Sequence, residues 1–167
     1  MVYLEDRLSD IKEVVRLNEN PVVQVDLTAS ICGKRIGGGS FRDVYEYNLN
    51  PDFVVKIETG NSCCNTVEAM IWEEVKELSG KLEWVKDWFA PVEWLSPNGK
   101  IIVMRKTAQN DKKKKPERVP KFLWDVKTEN FGWYKGNYVC HDYGQFYNFI
   151  NYSKSNKKID WESYEPQ

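Results

Sequence analysis

Four polar residues lie close together in the sequence between positions 125 and 142, and their types suit acid–base, charge-neutralising or cation-binding chemistry. The segment "DVKTENFG" at 125–132 carries Asp125, Lys127 and Asn130, and "HDYG" at 141–144 adds Asp142. A carboxylate can accept a proton, an ammonium can neutralise an anionic group, and amide or carboxylate oxygens bind hard cations. An ordinary loop would hold all four as solvated groups, so the rest of the chain decides between the two interpretations.

A glycine-rich turn and a lysine in an apolar run lie upstream. The segment "IGGGSFRDVYEY" places Gly37, Gly38 and Gly39 between two β-rich runs, where backbone N–H groups without side chains could cover phosphates. Glycine is also common in hairpin turns for structural reasons alone, so the turn by itself is weak evidence. Lys56 stands in "FVVKIE", and Glu68, twelve residues later, could orient its ammonium toward phosphate oxygens.

The hydrophobic pattern predicts the elements that position these residues. Helices are predicted where apolar residues recur at helical spacing, and strands where short β-rich runs end at turn residues. In chain order we predict an amphipathic helix at 3–18, a short β-rich segment at 22–29, two strands around the glycine turn, a strand at 52–59, a helix at 65–79 and a hairpin around Pro97-Asn98-Gly99. This order predicts an α+β fold, in which a helix packs on an antiparallel sheet.

The helix predicted at 65–79 leaves the partner of Lys56 open. Its predicted buried face consists of Val67, Met70, Ile71, Val75 and Leu78. Glu68 lies near the start of this helix, but Glu74 falls within the same apolar arc. Either glutamate could therefore be the inward countercharge.

Composition sets broad limits on the class of protein. With 167 residues, 41% of them hydrophobic, the chain suits one domain with a substantial core. Lys and Arg total 24 against 25 acidic residues, so no global charge favours nucleic acid or membrane. The charged N-terminal segment and the lack of a long apolar window predict a soluble cytoplasmic protein without membrane contact. Four cysteines without CxxC spacing and one histidine predict neither a zinc site nor a disulfide framework.

The pattern weakens after residue 107. The segment "AQNDKKKKPERVP" at 108–120 contains the lysine run Lys112–Lys115 and two prolines, which predicts a solvated basic loop. Because neither aromatic residues nor arginines interleave with the lysines, we do not expect nucleic acid to bind there.

Taken in order, the motifs from Ile36 to Gly144 resemble those of the protein-kinase family. "IGGGSFRDV" is similar to the glycine-rich loop, most closely that of the casein-kinase-one-like branch, and "VVKIE" to the strand with the phosphate-anchoring lysine. "NTVEAMIW" is similar to the helix with its glutamate partner, and "IIVMRKT" to the strand that enters the hinge. "DVKTEN" resembles the catalytic loop and "HDYG" the metal-binding Asp-Phe-Gly motif.

The resemblance implies a kinase-like N-lobe, with an antiparallel sheet and an αC-type helix, and a rudimentary C-lobe. We expect a single minimal domain over 1–167: the N-lobe and N-terminal helix at 1–107, the basic loop at 108–120, and the catalytic and metal-binding loops with a tail at 121–167. The C-lobe is expected to be small because 17 residues separate Thr107 from Asp125 and 23 follow Gly144.

The resemblance also implies a role for each site residue. Lys56 would hold the ATP phosphates and Glu68 would hold Lys56. Asp125 would orient the attacking hydroxyl and Lys127 would stabilise the transferring phosphoryl group. The implied Mg²⁺ ligands are Asn130 and Asp142. The other implied ATP-binding residues are Ile36, Gly37, Gly38, Gly39, Val44, Met104 and Lys106, of which Ile36 and Val44 would sandwich the adenine.

Several positions depart from the family's pattern. Arg42 replaces the third glycine of the loop, and Val54 stands where a small alanine is usual. The pair at 123–124 is Leu-Trp where the family has His-Arg, and Tyr143 replaces phenylalanine.

Two functions follow as expectations. The first is a minimal Ser/Thr protein kinase that uses ATP and Mg²⁺, such as a viral or bacterial effector acting in a host cytoplasm. The alternative is a pseudokinase-like nucleotide-binding protein that inhibits or scaffolds a partner. The sequence does not identify the protein substrate or the partner.

Overall fold

The structure, a computed structural model, describes residues 26, 28–110, 112–123, 125–145, 152 and 154–161. The helix predicted at 3–18 lies outside the described residues, as does most of the β-rich segment predicted at 22–29. Where that segment is described, at 26, 28 and 29, its residues are helical, so the expectation of a β-rich segment is wrong there. Ser30 Oγ donates to Asp26 O at 2.8 Å, a local bond that competes with extended backbone.

The centre of the fold is a five-stranded antiparallel sheet. Its strands are β1 (Cys32–Gly38), β2 (Arg42–Tyr47), β3 (Phe53–Glu58), β4 (Val92–Leu95) and β5 (Ile101–Arg105). They lie side by side in the order β1-β2-β3-β5-β4. The strands around the glycine turn, the strand at 52–59 and the hairpin around Pro97-Asn98-Gly99 are thus confirmed. Lys56, on the central strand, lies opposite Val44 of β2 and Ile102 of β5.

One long helix, α1 (Cys64–Glu77), packs against this sheet and confirms the α+β prediction. Ile71 and Val75 are buried as expected, but Met70 is 67% exposed, so that part of the predicted buried face is wrong. The inward arc is rotated toward Glu68, which is fully buried. Cys63, the residue that precedes the helix, is exposed.

Beyond α1 the chain forms short elements that the sequence pattern did not indicate. A 3-10 helix covers Gly80–Trp88, and another covers Thr128–Asn130. The other strands among the described residues are β6 (Arg118–Pro120), β7 (Phe131–Tyr134), β8 (Asn137–Cys140) and β9 (Asn156–Lys158).

These four strands pair as two small antiparallel sheets, β6 with β9 and β7 with β8. The loop prediction for 108–120 is therefore wrong for its last three residues, which pair with a segment about forty positions away. The tight β7–β8 turn uses Lys135 and Gly136, both at positive φ.

A continuous core joins the large sheet, α1 and the later strands. It includes Val54 and Met104 from the sheet, Val75 from the helix, and Leu123 and Phe131 from the later segments. The backbone of β7 also lies close to Thr107, since a Cβ on Gly132 would lie 2.4 Å from Thr107 Oγ1. As a result, β7 lies directly against the chain that leaves β5, where Ala108 and Trp133 exchange backbone hydrogen bonds.

Candidate functional site

The central strand and the helix bring Lys56 and Glu68 together. Alternation along β3 places Lys56 on the sheet face that α1 covers, so its side chain is buried although it is charged. Lys56 Nζ lies 3.0 Å from each carboxylate oxygen of Glu68. Glu74 is exposed on the same helix, so the question that the sequence left open is answered in favour of Glu68.

Two further residues, which the sequence did not indicate as partners, also donate to Glu68. Arg42 NH1 lies 2.8 Å from Glu68 Oε2 and Arg42 NH2 lies 2.9 Å from Oε1. The backbone N–H of Tyr143 donates to Oε1 at 3.0 Å. The glutamate therefore connects β2, β3, α1 and the "HDYG" segment.

Arg42 extends this network to Asp142. Its NH2 group also contacts Asp142 Oδ1, and its NH1 group donates to Asn65 Oδ1 at 3.3 Å. Arg42 is 7% exposed, whereas the Asp142 side chain is 47% exposed. In this ion pair the guanidinium is therefore buried, whereas solvent reaches the carboxylate.

A sequence signal for this role of Arg42 existed in the strand alternation. Residues two apart on a strand share a face, so Arg42 must point to the same side of β2 as Val44. Because Val44 was expected to face the bound base, Arg42 had to face the site as well. The signal is visible only when Arg42 is treated as a residue of the strand and not as a substituted glycine of the loop.

The electrostatics of the network follow from burial and from these pairs. Burial lowers the pKa of Lys56, although Glu68 opposes the shift. Burial acts in the same sense on Arg42, but Glu68 and then Asp142 outweigh it and raise its pKa. For Asp142, burial favours the neutral acid, yet Lys56 and Arg42 prevail and lower the pKa. Arg42 and Asp142 are therefore charged at neutral pH.

The segment at 125–130 forms a second group of site residues. Asn130 Nδ2 donates to Asp125 Oδ2 at 2.7 Å and to Asp125 O at 3.0 Å, so the buried amide fixes the carboxylate. Lys127 Nζ lies 3.4 Å from the same Oδ2 atom. Asp125, Lys127 and Asn130 are therefore in mutual contact, with the first two partly open to solvent.

His141 connects the two groups. Its backbone N–H donates to Asn130 O at 2.8 Å, and its carbonyl oxygen accepts from Lys56 Nζ. The ring Nε2 lies 2.9 Å from Glu129 O, a pure acceptor, so Nε2 carries the proton and Nδ1 accepts from Thr107 Oγ1 at 2.8 Å. Burial, and then the Lys56 ammonium, lower the pKa of His141 to about 4, which keeps the ring neutral.

The other residues that the resemblance implies for ATP binding differ in how far they are buried. Met104 is buried and Val44 half-buried, whereas Ile36 is 45% exposed. Lys106 is exposed and its Nζ lies 3.5 Å from Glu46 Oε1.

The glycine turn is partly engaged in its own hydrogen bonds. Gly37 and Gly38 belong to β1 and pair with β2. The N–H of Gly39 donates to Arg42 O at 2.9 Å, so it is used inside the turn.

The residues implied as Mg²⁺ ligands are both engaged by protein groups in this arrangement. Arg42 contacts one oxygen of Asp142, and the Asn130 amide is oriented by Asp125. Among the described residues, no group of three or more His, Cys, Asp or Glu side chains could hold a metal ion.

The lysine run contacts aromatic rings from distant segments. Lys113 Nζ lies 4.7 Å from the centre of the Trp133 ring, and Lys115 Nζ lies 6.0 Å from that of Trp161. The aromatic partners that the local sequence lacked are thus supplied by the fold, although Lys112 and Lys114 remain exposed.

Comparisons with known proteins do not assign the chain to a family. No protein-family model matches the chain, and no curated protein matches it. Within the part of the chain that the structure describes, no helix is long and apolar enough to span a bilayer.

Proposed function

We propose that this protein is a minimal kinase-like phosphotransferase that binds ATP and transfers its γ-phosphate to a protein Ser or Thr hydroxyl. The observation that carries the proposal is the convergence of two groups of residues: the buried Lys56–Glu68 pair beside Asp142, and the Asp125–Lys127–Asn130 group. His141 links them through the backbone of Asn130 and the Lys56 ammonium.

The geometry supports a distinct role for each charged group. Lys56 is held at a defined place by Glu68 and would present its ammonium to phosphate oxygens. Asp125 is fixed by the Asn130 amide and partly exposed, as a group that accepts the proton of an incoming hydroxyl must be. Lys127, beside it, would offset the charge of the transferring phosphoryl group.

The five-stranded sheet with α1 is compatible with a kinase-like N-lobe, and the base would lie between its glycine turn and Met104. The exposed Ile36 on β1, an edge strand of the sheet, offers an apolar contact that a bound base would cover. Phe41, next to Arg42 in the turn, is 45% exposed and offers another.

A second function, a pseudokinase-like binding protein, is favoured by one observation. Asp142, the residue implied as a metal ligand, is instead paired with Arg42. The charges of Lys56, Arg42, Glu68 and Asp142 therefore balance without an added ion. In that case the protein would bind a nucleotide or a partner without phosphoryl transfer.

Transfer of labelled phosphate from γ-³²P-ATP to the protein itself and to a mixed-peptide substrate separates the two functions. We expect transfer by the wild type and a loss of about 100-fold or more in Asp125→Asn, because its amide cannot accept the proton. Glu129→Gln, an exposed neighbour, is the matched control and should retain activity. No transfer above the Asp125→Asn level would refute the kinase proposal.

Thermal unfolding with ATP tests the nucleotide site separately. A ligand at about a hundred times its Kd stabilises the folded state by about 2.7 kcal/mol. A shift without phosphate transfer would favour the binding protein. No shift with ATP, ADP or GTP would remove the nucleotide from both proposals.

A further inference from the structure

The contact between Arg42 and Asp142 places a protein cation on the carboxylate that the proposed reaction would offer to a metal. Arg42 reaches it from the interior, where its guanidinium is already anchored on both Glu68 oxygens and on Asn65 Oδ1. The Asn65 amide is in turn fixed by the carbonyl oxygen of Lys100 at 3.0 Å. The contacts with Glu68 and Asn65 therefore fix the position of the Arg42 guanidinium.

Arg42 changes the net charge of the site. Without Arg42, the Lys56 cation would face the Glu68 and Asp142 carboxylates, leaving one net negative charge to attract a divalent ion. With Arg42, two cations face two carboxylates and the net charge is zero. A second cation brought to Asp142 would be repelled by a guanidinium in direct contact with the same carboxylate.

We propose that Arg42 is an internal competitor of divalent cations for Asp142, so that it sets the Mg²⁺ concentration at which the site takes up metal. The inference rests on the proposed phosphotransfer site, whose metal requirement it would govern. Since almost half of the Asp142 side chain is exposed, a cation can approach from solvent and replace the guanidinium there. Arg42 would keep its bonds to Glu68 and Asn65 after such an exchange.

Direct titration with Mn²⁺, followed by electron paramagnetic resonance in the absence of ATP, tests the competition. We expect Arg42→Gln to bind Mn²⁺ at least about tenfold more tightly than the wild type, because one positive charge next to the ion is removed. The double variant Arg42→Gln/Asp142→Asn should lose this gain. Equal Mn²⁺ affinity in the wild type and Arg42→Gln would overturn the proposal.

Arg35→Gln is the matched control. Arg35 forms an exposed pair with Asp43 on the neighbouring strands, so the variant removes the same charge without touching Asp142. It should bind Mn²⁺ as the wild type does. An equal gain in Arg35→Gln would mean that overall charge governs the affinity, and would also overturn the proposal.

Nuclear magnetic resonance of the wild type keeps the inference testable if Arg42→Gln does not fold. Adding Mg²⁺ should shift the Nε–H signal of Arg42 while that of Arg35 stays in place, and an unchanged Arg42 signal at saturating Mg²⁺ contradicts the exchange. Because ATP is absent from both experiments, failure to bind ATP would count against the proposed function alone.

Discussion

Glu68 is the residue on which the buried charges of the site converge. It is fully buried and accepts from Lys56 Nζ, from the Arg42 guanidinium and from the N–H of Tyr143. Such a carboxylate is tolerated because cations compensate it, and the cations depend on it equally. Removing its charge would leave excess positive charge away from water.

Glu68→Gln should therefore be strongly destabilising. We expect a loss of about 3 to 5 kcal/mol in the free energy of unfolding, the range for breaking one partner out of a buried ion pair. Urea unfolding followed by tryptophan fluorescence measures it. Glu77→Gln, at the exposed end of the same helix, should change stability by less than about 0.5 kcal/mol. Similar values for the two variants would contradict the convergence of charge on Glu68.

His141 should make stability depend on pH on the acidic side of neutrality. Its pKa falls from 6.5 to about 4 on folding, chiefly through burial. Between these values the unfolded chain takes up a proton that the native ring refuses, so stability is complete above pH 6.5 and declines as pH falls toward 4. The total loss is roughly 3 kcal/mol.

The measurement is the free energy of unfolding at several pH values for the wild type and for His141→Gln. The variant cannot titrate at this position, so the slope between pH 6.5 and 4 should be shallower than in the wild type. Parallel curves would show that His141 does not carry the dependence.

At the scale of residues, the sequence predicted the Lys56–Glu68 pair but not the contacts of Arg42 with Glu68 and Asp142. Lys56 and Glu68 could be linked because a lysine in an apolar strand needs a countercharge nearby. The third member, Arg42, was identifiable only from its strand face, and its contact with Asp142 spans 100 positions. Contacts so distant in the chain depend on how the elements pack, which local pattern does not encode.

At the scale of elements, Gly144 shows how closely the "HDYG" segment lies against α1. A Cβ at this position would lie 2.7 Å from both the Cβ and the carbonyl oxygen of Cys64, and helix backbone cannot yield easily. Gly144→Ala should cost about 1 to 3 kcal/mol, the range for overpacking.

Gly60→Ala is the control, because nothing lies within 4 Å of its added methyl group. Thermal unfolding of the two variants compares the effects. If Gly144→Ala were as stable as Gly60→Ala, the close approach of the "HDYG" segment to the helix would be contradicted.

Strands and helix were predictable where the pattern was local. The central strands and the hairpin at 92–105 follow from β-rich runs and a Pro-Asn-Gly turn. The pairing of β6 with β9 did not, because both are short, lysine-bearing or proline-bearing segments that resemble solvated loop. Val119 within β6 and Trp161, which follows β9, supply the apolar contacts that hold the pair to the core.

At the scale of the whole molecule, the shared core predicts cooperative unfolding. Leu123, fully buried, packs in the same cluster as Val54 of the sheet and Val75 of the helix. Leu123→Ala should lose about 2 to 5 kcal/mol, and fluorescence and circular dichroism should report the same midpoint. Leu49→Ala, at a residue 70% exposed, should be nearly neutral. Separate midpoints for the two probes would mean that the later strands unfold independently.

The position of Cys63 has a practical consequence for following this site in solution. Of the four cysteines, Cys64 and Cys140 are buried and Cys32 is partly covered, while Cys63 is exposed. Burial raises the pKa of Cys32 and raises that of Cys140 further, which leaves less of the reactive thiolate at both. A maleimide dye should therefore attach first at Cys63, beside the helix that carries Glu68, without any cysteine being engineered. Its emission would then serve as a single-site reporter of events at the helix start.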